Sequence, residues 1–204
     1  MLFTDSYQTI KEKTEGIYKD KGSKFIAIAV PVTTEDEVKH QLESIRNMYH
    51  DARHHCFAYM LGADKSAYRF NDDGEPSGTA GRPILGQINS FDLTNILVVV
   101  VRYFGGVKLG VRGLINAYKF ATRDAFQKAT VIKKTVNEEY EIHFKYPEMS
   151  KVMRIMNDGN VNIIRQDFSM HCLIKFSVRK KEAVAVYDRL SKIKDLKINY
   201  LQTV

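Results

Sequence analysis

The run Ile96-Leu97-Val98-Val99-Val100-Val101 contains five β-branched residues in six and no polar one. β-Branched side chains are stiff at χ1 and pack well on a pleated surface, so residues 95–103 read as a strand. The absence of polar alternation marks it as buried. A glycine-rich segment lies on each side, Asn71 to Pro83 before it and Arg102 to Gly113 after it, and together they hold seven of the chain's 12 glycines. Glycine permits positive φ and close backbone approach, at an entropic cost. Two readings follow: the segments build one surface, or they are two tight connections in a compact domain.

The remaining elements follow from periodicity. Lys24 to Val30 is nearly all apolar and reads as a strand covered on both faces, closed by Pro31. Thr34 and Glu37 have the spacing of a capping box, and Val38, Leu42, Ile45 and Tyr49 continue at helical spacing, which predicts a helix over 35–49. Cys56 to Leu61 reads as a second buried strand and Tyr68 to Phe70 as a weaker one. Pro83 suits the first turn of a short helix over 83–90. A further helix spans roughly 113–129, with Leu114, Ala117, Tyr118, Ala121 and Ala125 on its buried side.

Beyond about residue 137 the units shorten. Strands at Glu139–Phe144, Val161–Phe168, His171–Val178 and Leu196–Leu201 alternate with helices from Pro147 to about Asn157 and from Lys180 to Ser191. That order, βαββαβ, is the ferredoxin-like pattern of a four-stranded antiparallel sheet with two helices on one face. The chain therefore reads as α+β with two domains, 1–134 and 135–204, closely joined because no Gly/Pro/Ser linker separates them.

An apolar fraction of 44% and a charged fraction of 27% fit a globular chain. No apolar stretch is long enough to span a bilayer and neither terminus has a secretory h-region, so no membrane partner is expected. Cys56 and Cys172 lie far apart and read as reduced, buried thiols of a cytoplasmic protein. The net charge is +7, spread as 19 Lys+Arg against 15 Asp+Glu in residues 1–136 and 12 against 9 beyond. This mild, distributed excess permits contact with nucleic acid or ribosome without demanding it. The sequence sets no oligomeric state.

Three clusters could carry chemistry. Asp72, Asp73 and Glu75 can hold a hard cation or accept loop amides, but the spacing departs from the calcium-loop template and no metal is expected. In the second segment the amides of Gly105, Gly106 and Gly110, a helix start, and Arg102, Lys108 and Arg112 favour an anion. Neither the Walker pattern nor Gly-x-Gly-x-x-Gly is present, so no nucleotide cofactor is expected. Tyr103 and Phe104 can stack bases or pack in a core. Third, Arg53-His54-His55-Cys56 enters a strand with its histidines on opposite faces, which argues against one metal, and Cys56 opens an apolar run that argues against a nucleophile. No catalytic residue is assigned. The candidate binding surface comprises His54, His55, Asp72, Asp73, Gly74, Glu75, Pro76, Gly78, Thr79, Arg102, Tyr103, Phe104, Gly105, Gly106, Lys108, Gly110 and Arg112.

Four segments in this order resemble the YigZ/IMPACT family: Lys21 to Ile26, Asp51 to Tyr59, Asp72 to Gly81, and Arg102 to Gly110 followed by Gly113-Leu114. The resemblance implies a first domain with the α/β fold shared by a ribosomal-protein domain and the GHMP kinases. It also implies a second, ferredoxin-like domain similar to the last domain of elongation factor G. Eukaryotic IMPACT proteins restrain activation of an amino-acid-starvation kinase by contacting its activator, a partner that does not carry over to bacteria. The function implied is that of a translation-linked binding protein contacting RNA, the ribosome or a protein regulator, with no established reaction. The alternative is an enzyme or small-ligand binder acting on a phosphorylated or anionic substrate. Where the family usually has a glycine and a basic residue, this chain has Arg112 and Asn116, and the positive charge has moved from helix to loop.

Overall fold

The structure, a computed structural model, describes residues 5–168 and 172–204. These fall into two compact units, residues 7–134, and residues 135–204 together with Asp5 and Ser6.

In the first unit the strands are β1 (Ser6–Ile10), β2 (Thr14–Asp20), β3 (Ser23–Pro31), β4 (His54–Leu61), β5 (Ala67–Asn71), β6 (Ile96–Tyr103) and β7 (Val131–Thr135). Its helices are α1 (Glu35–Met48), α2 (Gly81–Ser90) and α3 (Gly110–Lys128). Five strands form an antiparallel sheet in the order β2-β3-β6-β4-β5, while β1 and β7 pair separately. The valine-rich strand β6 sits at the centre, and every residue from Ile96 to Val101 is fully buried.

Alternation along the central strands divides the interior into two cores. Phe25, Ala27 and Ala29 of β3, Cys56, Ala58 and Met60 of β4, and Val98 and Val100 of β6 face α2 and α3. Ile26, Ile28, Val30, Phe57, Tyr59, Leu97, Val99 and Val101 face α1, meeting Val38 and Ile45. A strand covered on both faces needs no polar positions, which explains the unbroken apolar runs.

The remaining strands are β8 (Asn137–Phe144), β9 (Asn162–Phe168), β10 (Cys172–Arg179) and β11 (Lys197–Thr203); the helices are α4 (Met149–Asp158) and α5 (Lys180–Leu190). The sheet order is β11-β8-β10-β9, antiparallel throughout. Ile142, Ile174 and Phe176 on one sheet face pack with Val152 and Met156 of α4 and Val186 and Leu190 of α5. This is the ferredoxin-like arrangement that the βαββαβ order implies. His171, expected at the start of β10, lies outside the described residues.

Three elements have no counterpart in the periodicity reading: β1, β2 and β7. Their side chains are mostly exposed or half-buried, as in the Val131–Thr135 strand, so backbone pairing forms them without a hydrophobic pattern. Two helices also begin earlier than their apolar stripes, at Gly81 and Gly110.

At α1 the hydroxyl of Thr34 accepts the Glu37 amide at 3.2 Å, as the spacing predicts. Glu37 reaches back one residue further than the usual box, its Oε2 accepting the Thr33 amide at 2.6 Å. That amide holds the Glu37 carboxyl below its ordinary range. Its contribution to stability is therefore present above the unfolded-state carboxylate pKa and is lost as pH falls through the lowered folded value. Thr34→Ala is expected to lower the unfolding free energy by about 1 kcal/mol, read as a shift in urea midpoint at unchanged m. Thr34→Ser should behave as wild type.

Candidate functional site

Antiparallel pairing sets His54 of β4 directly opposite Arg102 of β6, and Arg102 is paired on its other side with Phe25 of β3. Arg102 is buried and lies on the α2/α3 side of the sheet, near the strand's end. One of its terminal nitrogens donates to Glu75 Oε1 at 2.5 Å, and the same oxygen accepts the hydroxyl proton of Tyr118, from α3, at 2.8 Å. The guanidinium carbon lies 5.4 Å from the Phe25 ring centre and 5.6 Å from that of Phe104, within cation–π range. Arg102 Nε is buried and takes no hydrogen-bond partner among the described residues.

These groups border a cleft of about 460 Å³ lined by Arg53, His54, Glu75, Pro76, Arg102, Phe104, Lys108, Leu109, Gly110, Val111 and Leu114. One wall is the beginning of α3, which has no acidic residue in its first turn and no side-chain cap. Its free amides leave a positive potential facing the cleft. Arg53 and Lys108 are exposed at the rim.

Only part of the acidic loop reaches this cleft. Asp72 turns inward: its Oδ2 accepts the Gly78 amide at 2.8 Å, and its Oδ1 accepts those of Ala80 and Gly81 at 2.9 and 2.8 Å. It therefore caps α2, whose own N-cap residue, Ala80, has no side chain to do so. Asp73 Oδ2 accepts the His55 amide at 2.6 Å and lies near Arg46 on the α1 side. Gly74 adopts φ +85° at the turn between Asp73 and Glu75. The hydroxyl of Thr79 donates to the Pro76 carbonyl at 2.6 Å. Apart from Glu75 and Pro76, this loop shapes the wall and does not line it.

The histidines separate as strand alternation requires. His54 faces the cleft and donates from Nδ1 to the Asp73 carbonyl at 2.8 Å, while His55 donates from Nε2 to the Tyr49 carbonyl at 3.0 Å on the α1 side. Tyr103 likewise turns away, donating to Asp51 at 2.8 Å. Gly105 is a packing position: an added Cβ would come within 1.9 Å of the Gly22 carbonyl carbon and 2.2 Å of the Ser23 amide. Gly106 and Arg112 do not line the cleft; Arg112 and Asn116 are both exposed on α3, so the charge expected in the loop stays on the helix, because α3 begins at Gly110.

Arg53, Leu109, Val111 and Leu114 line the cleft although the sequence reading left them off the candidate surface. Arg53 carried a signal, since it immediately precedes His54 at the mouth of β4. Of the three apolar residues, Leu109 and Val111 read as loop and Leu114 as the buried side of a helix, and only the earlier start of α3 at Gly110 brings them to one wall.

Cys56 lies beneath the cleft, its sulfur 3.0 Å from the Asp72 carbonyl and 3.3 Å from the Tyr118 hydroxyl. Burial pushes its thiol well above the ordinary range, and burial likewise raises Tyr118. A thiol held protonated in this way is a poor nucleophile.

The second unit contributes a separate cationic hollow of about 440 Å³. Lys151 and Arg154 of α4, Arg189 of α5, and Lys192 and Lys194 just beyond it surround Ile155 and Ile193, with no carboxylate in the lining. Lys151 pairs with Glu148 at 2.7 Å and Arg189 with Asp158 at 2.8 Å. Arg154, Lys192 and Lys194 have no acidic partner among the described residues. The described residues contain no group of three or more His, Cys, Asp or Glu side chains placed to hold a metal, and no helix long and apolar enough to cross a membrane.

Residues 21–126 match the family described as the Impact N-terminal domain. The chain is 34% identical over 184 residues to the IMPACT family member YigZ of Escherichia coli, spanning 89% of both proteins. It is 30% identical to the IMPACT family member YvyE of Bacillus subtilis, across 97% of this chain and 94% of that one. Similarity to a Saccharomyces cerevisiae protein IMPACT homolog, 34% over 94 residues, covers 45% of this chain and 36% of the yeast protein. A crystal structure described as a hypothetical protein superposes with a TM-score of 0.74 at 29% identity, covering 98% of this chain and 99% of that one.

Asp72→Ala should destabilise the first unit by about 3 kcal/mol, because three loop amides lose a charged acceptor. Asp72→Asn should fall between that variant and wild type, since only one of its two side-chain polar atoms accepts. Chemical denaturation followed by circular dichroism checks both.

Proposed function

The chain belongs to the IMPACT family, and on that footing we propose that it is a translation-linked regulatory protein that works by binding structured RNA, free or within the ribosome. The observation that carries this reading is the hollow formed by Lys151, Arg154, Arg189, Lys192 and Lys194. Five cations converge there without a lining carboxylate, three of them without an acidic partner among the described residues. Phosphate contacts of this kind release counterions and supply affinity that does not depend on sequence. The buried isoleucine floor gives the aliphatic stems of these side chains a surface to lie on while their heads meet solvent. The overall charge of +7 favours encounter with a polyanion.

The family background supplies the link to translation, and the charge distribution supplies the choice of RNA over a protein regulator. Binding and regulation need no covalent step, and the protonated Cys56 offers no thiolate for one.

Filter binding of structured RNA across a salt series tests this reading. Affinity should fall steeply as salt rises. A triple variant, Arg154→Glu, Lys192→Glu and Lys194→Glu, should weaken binding and flatten the log–log salt slope by roughly 0.7–0.9 for each phosphate left without its cation. No RNA binding by the wild type even near ~50 mM salt overturns it, because phosphate contacts are strongest there. So does a triple variant that binds like wild type.

A further inference from the structure

We propose that the cleft of the first unit is a binding site for a nucleoside carrying a terminal phosphomonoester. This is a second site, distinct from the cationic hollow of the other unit and made from other residues.

The charge balance selects an anion. Arg53, Arg102 and Lys108 line the cleft against one carboxylate, Glu75. That leaves an excess of two positive charges, which suits the dianionic form of a phosphomonoester. The uncapped start of α3 adds further positive potential from its free amides.

Arg102 supplies the independent sign that something is accommodated there. It is buried, and its Nε donor has no partner among the described residues. An unsatisfied buried donor is costly, and the same guanidinium lines the cleft, where its solvent-facing edge is what a ligand oxygen meets. Glu75 spends Oε1 on Arg102 and Tyr118, while Oε2 makes no hydrogen bond among the described residues. That oxygen is an acceptor for an N–H or O–H of the ligand.

The other features select a flat ring beside the phosphate. Phe104 is half exposed at the cleft edge with the Arg102 guanidinium 5.6 Å from its ring centre, so its open face can stack a base. Leu109, just before α3, and Val111 and Leu114 within it form an apolar wall. A volume of about 460 Å³ lies in the range of small-ligand sites and is too large for phosphate alone. The same chemistry is presented by a free mononucleotide and by the 5′-phosphorylated end of an RNA strand.

Equilibrium dialysis or calorimetry with the full chain distinguishes these sources and tests the site. The probes are the four ribonucleoside 5′-monophosphates, their nucleosides, inorganic phosphate, and a short RNA with a 5′-phosphate or a 5′-hydroxyl. At least one monophosphate should bind about tenfold or more tightly than its nucleoside. Lys108→Ala should weaken both that nucleotide and inorganic phosphate. Phe104→Ala should weaken the nucleotide about fivefold or more and leave inorganic phosphate unchanged, as loss of stacking requires. Both side chains are exposed, so neither variant endangers folding. If the 5′-phosphorylated RNA competes as well as the free nucleotide, the site takes RNA ends; if it does not compete, the site takes mononucleotides. The proposal is overturned if no monophosphate binds better than its nucleoside, or if both variants bind like wild type. The Arg154→Glu, Lys192→Glu, Lys194→Glu variant should keep wild-type nucleotide affinity, so either site can fail without the other.

Discussion

One carboxylate oxygen, Glu75 Oε1, holds the first unit's cleft together. It accepts from Arg102 on the central strand and from Tyr118 on α3, and it belongs to the loop between β5 and α2. Sheet, helix and loop thus converge on a single buried acceptor. Breaking a buried ion pair by removing one partner costs about 3–5 kcal/mol, because the remaining charge is stranded in a poor solvent. The pair is therefore less a source of net stability than a constraint on which arrangement of the three elements is tolerable. It also leaves Arg102 Nε without a hydrogen-bond partner among the described residues.

That constraint operates inside a scaffold built from close approach. Gly16 on β2 lies so near α3 that a Cβ would fall 2.2 Å from the Ala125 amide, and Gly105 lies closer still to the Gly22–Ser23 backbone, at 1.9 Å. Glycine at these places brings elements together. The abundance of glycine around the valine-rich strand therefore reflects chain packing at Gly105 and backbone turning at Gly74 more than room for a ligand. Asp72 extends the same logic, since its carboxylate gathers three amides and starts α2 from eight or nine residues away. A carboxylate so engaged is structural, however suggestive its place in an acidic cluster.

The two units carry positive charge in different forms. In the cleft it is concentrated on a buried guanidinium beside a carboxylate and a helix start. Around Ile155 and Ile193 it is spread over five long side chains at the surface. Local dielectric separates them: interactions are stronger and less screened in the cleft, and more sensitive to salt in the hollow.

Much of the fold was legible in the sequence, because burial on two faces writes itself as the unbroken runs Lys24–Val30 and Ile96–Val101, and burial on one writes itself as the alternation of β8 and β10. The capping role of Thr34 was legible for the same reason, being local. Strands β1, β2 and β7 were not, since backbone pairing at exposed positions leaves no pattern in the side chains. Of the residues lining the cleft, the sequence by itself marked His54, Glu75, Pro76, Arg102, Phe104, Lys108 and Gly110 as candidates, and strand alternation alone placed the two histidines on opposite faces. Only the tertiary structure decided that Asp72 and Asp73 turn inward, that Tyr103 points away, and that Arg53 and the first turn of α3 complete the cleft. Sequence records which groups a chain carries. Which amide a carboxylate meets depends on contacts between residues far apart along the chain, and those exist only after the sheet and helices have packed.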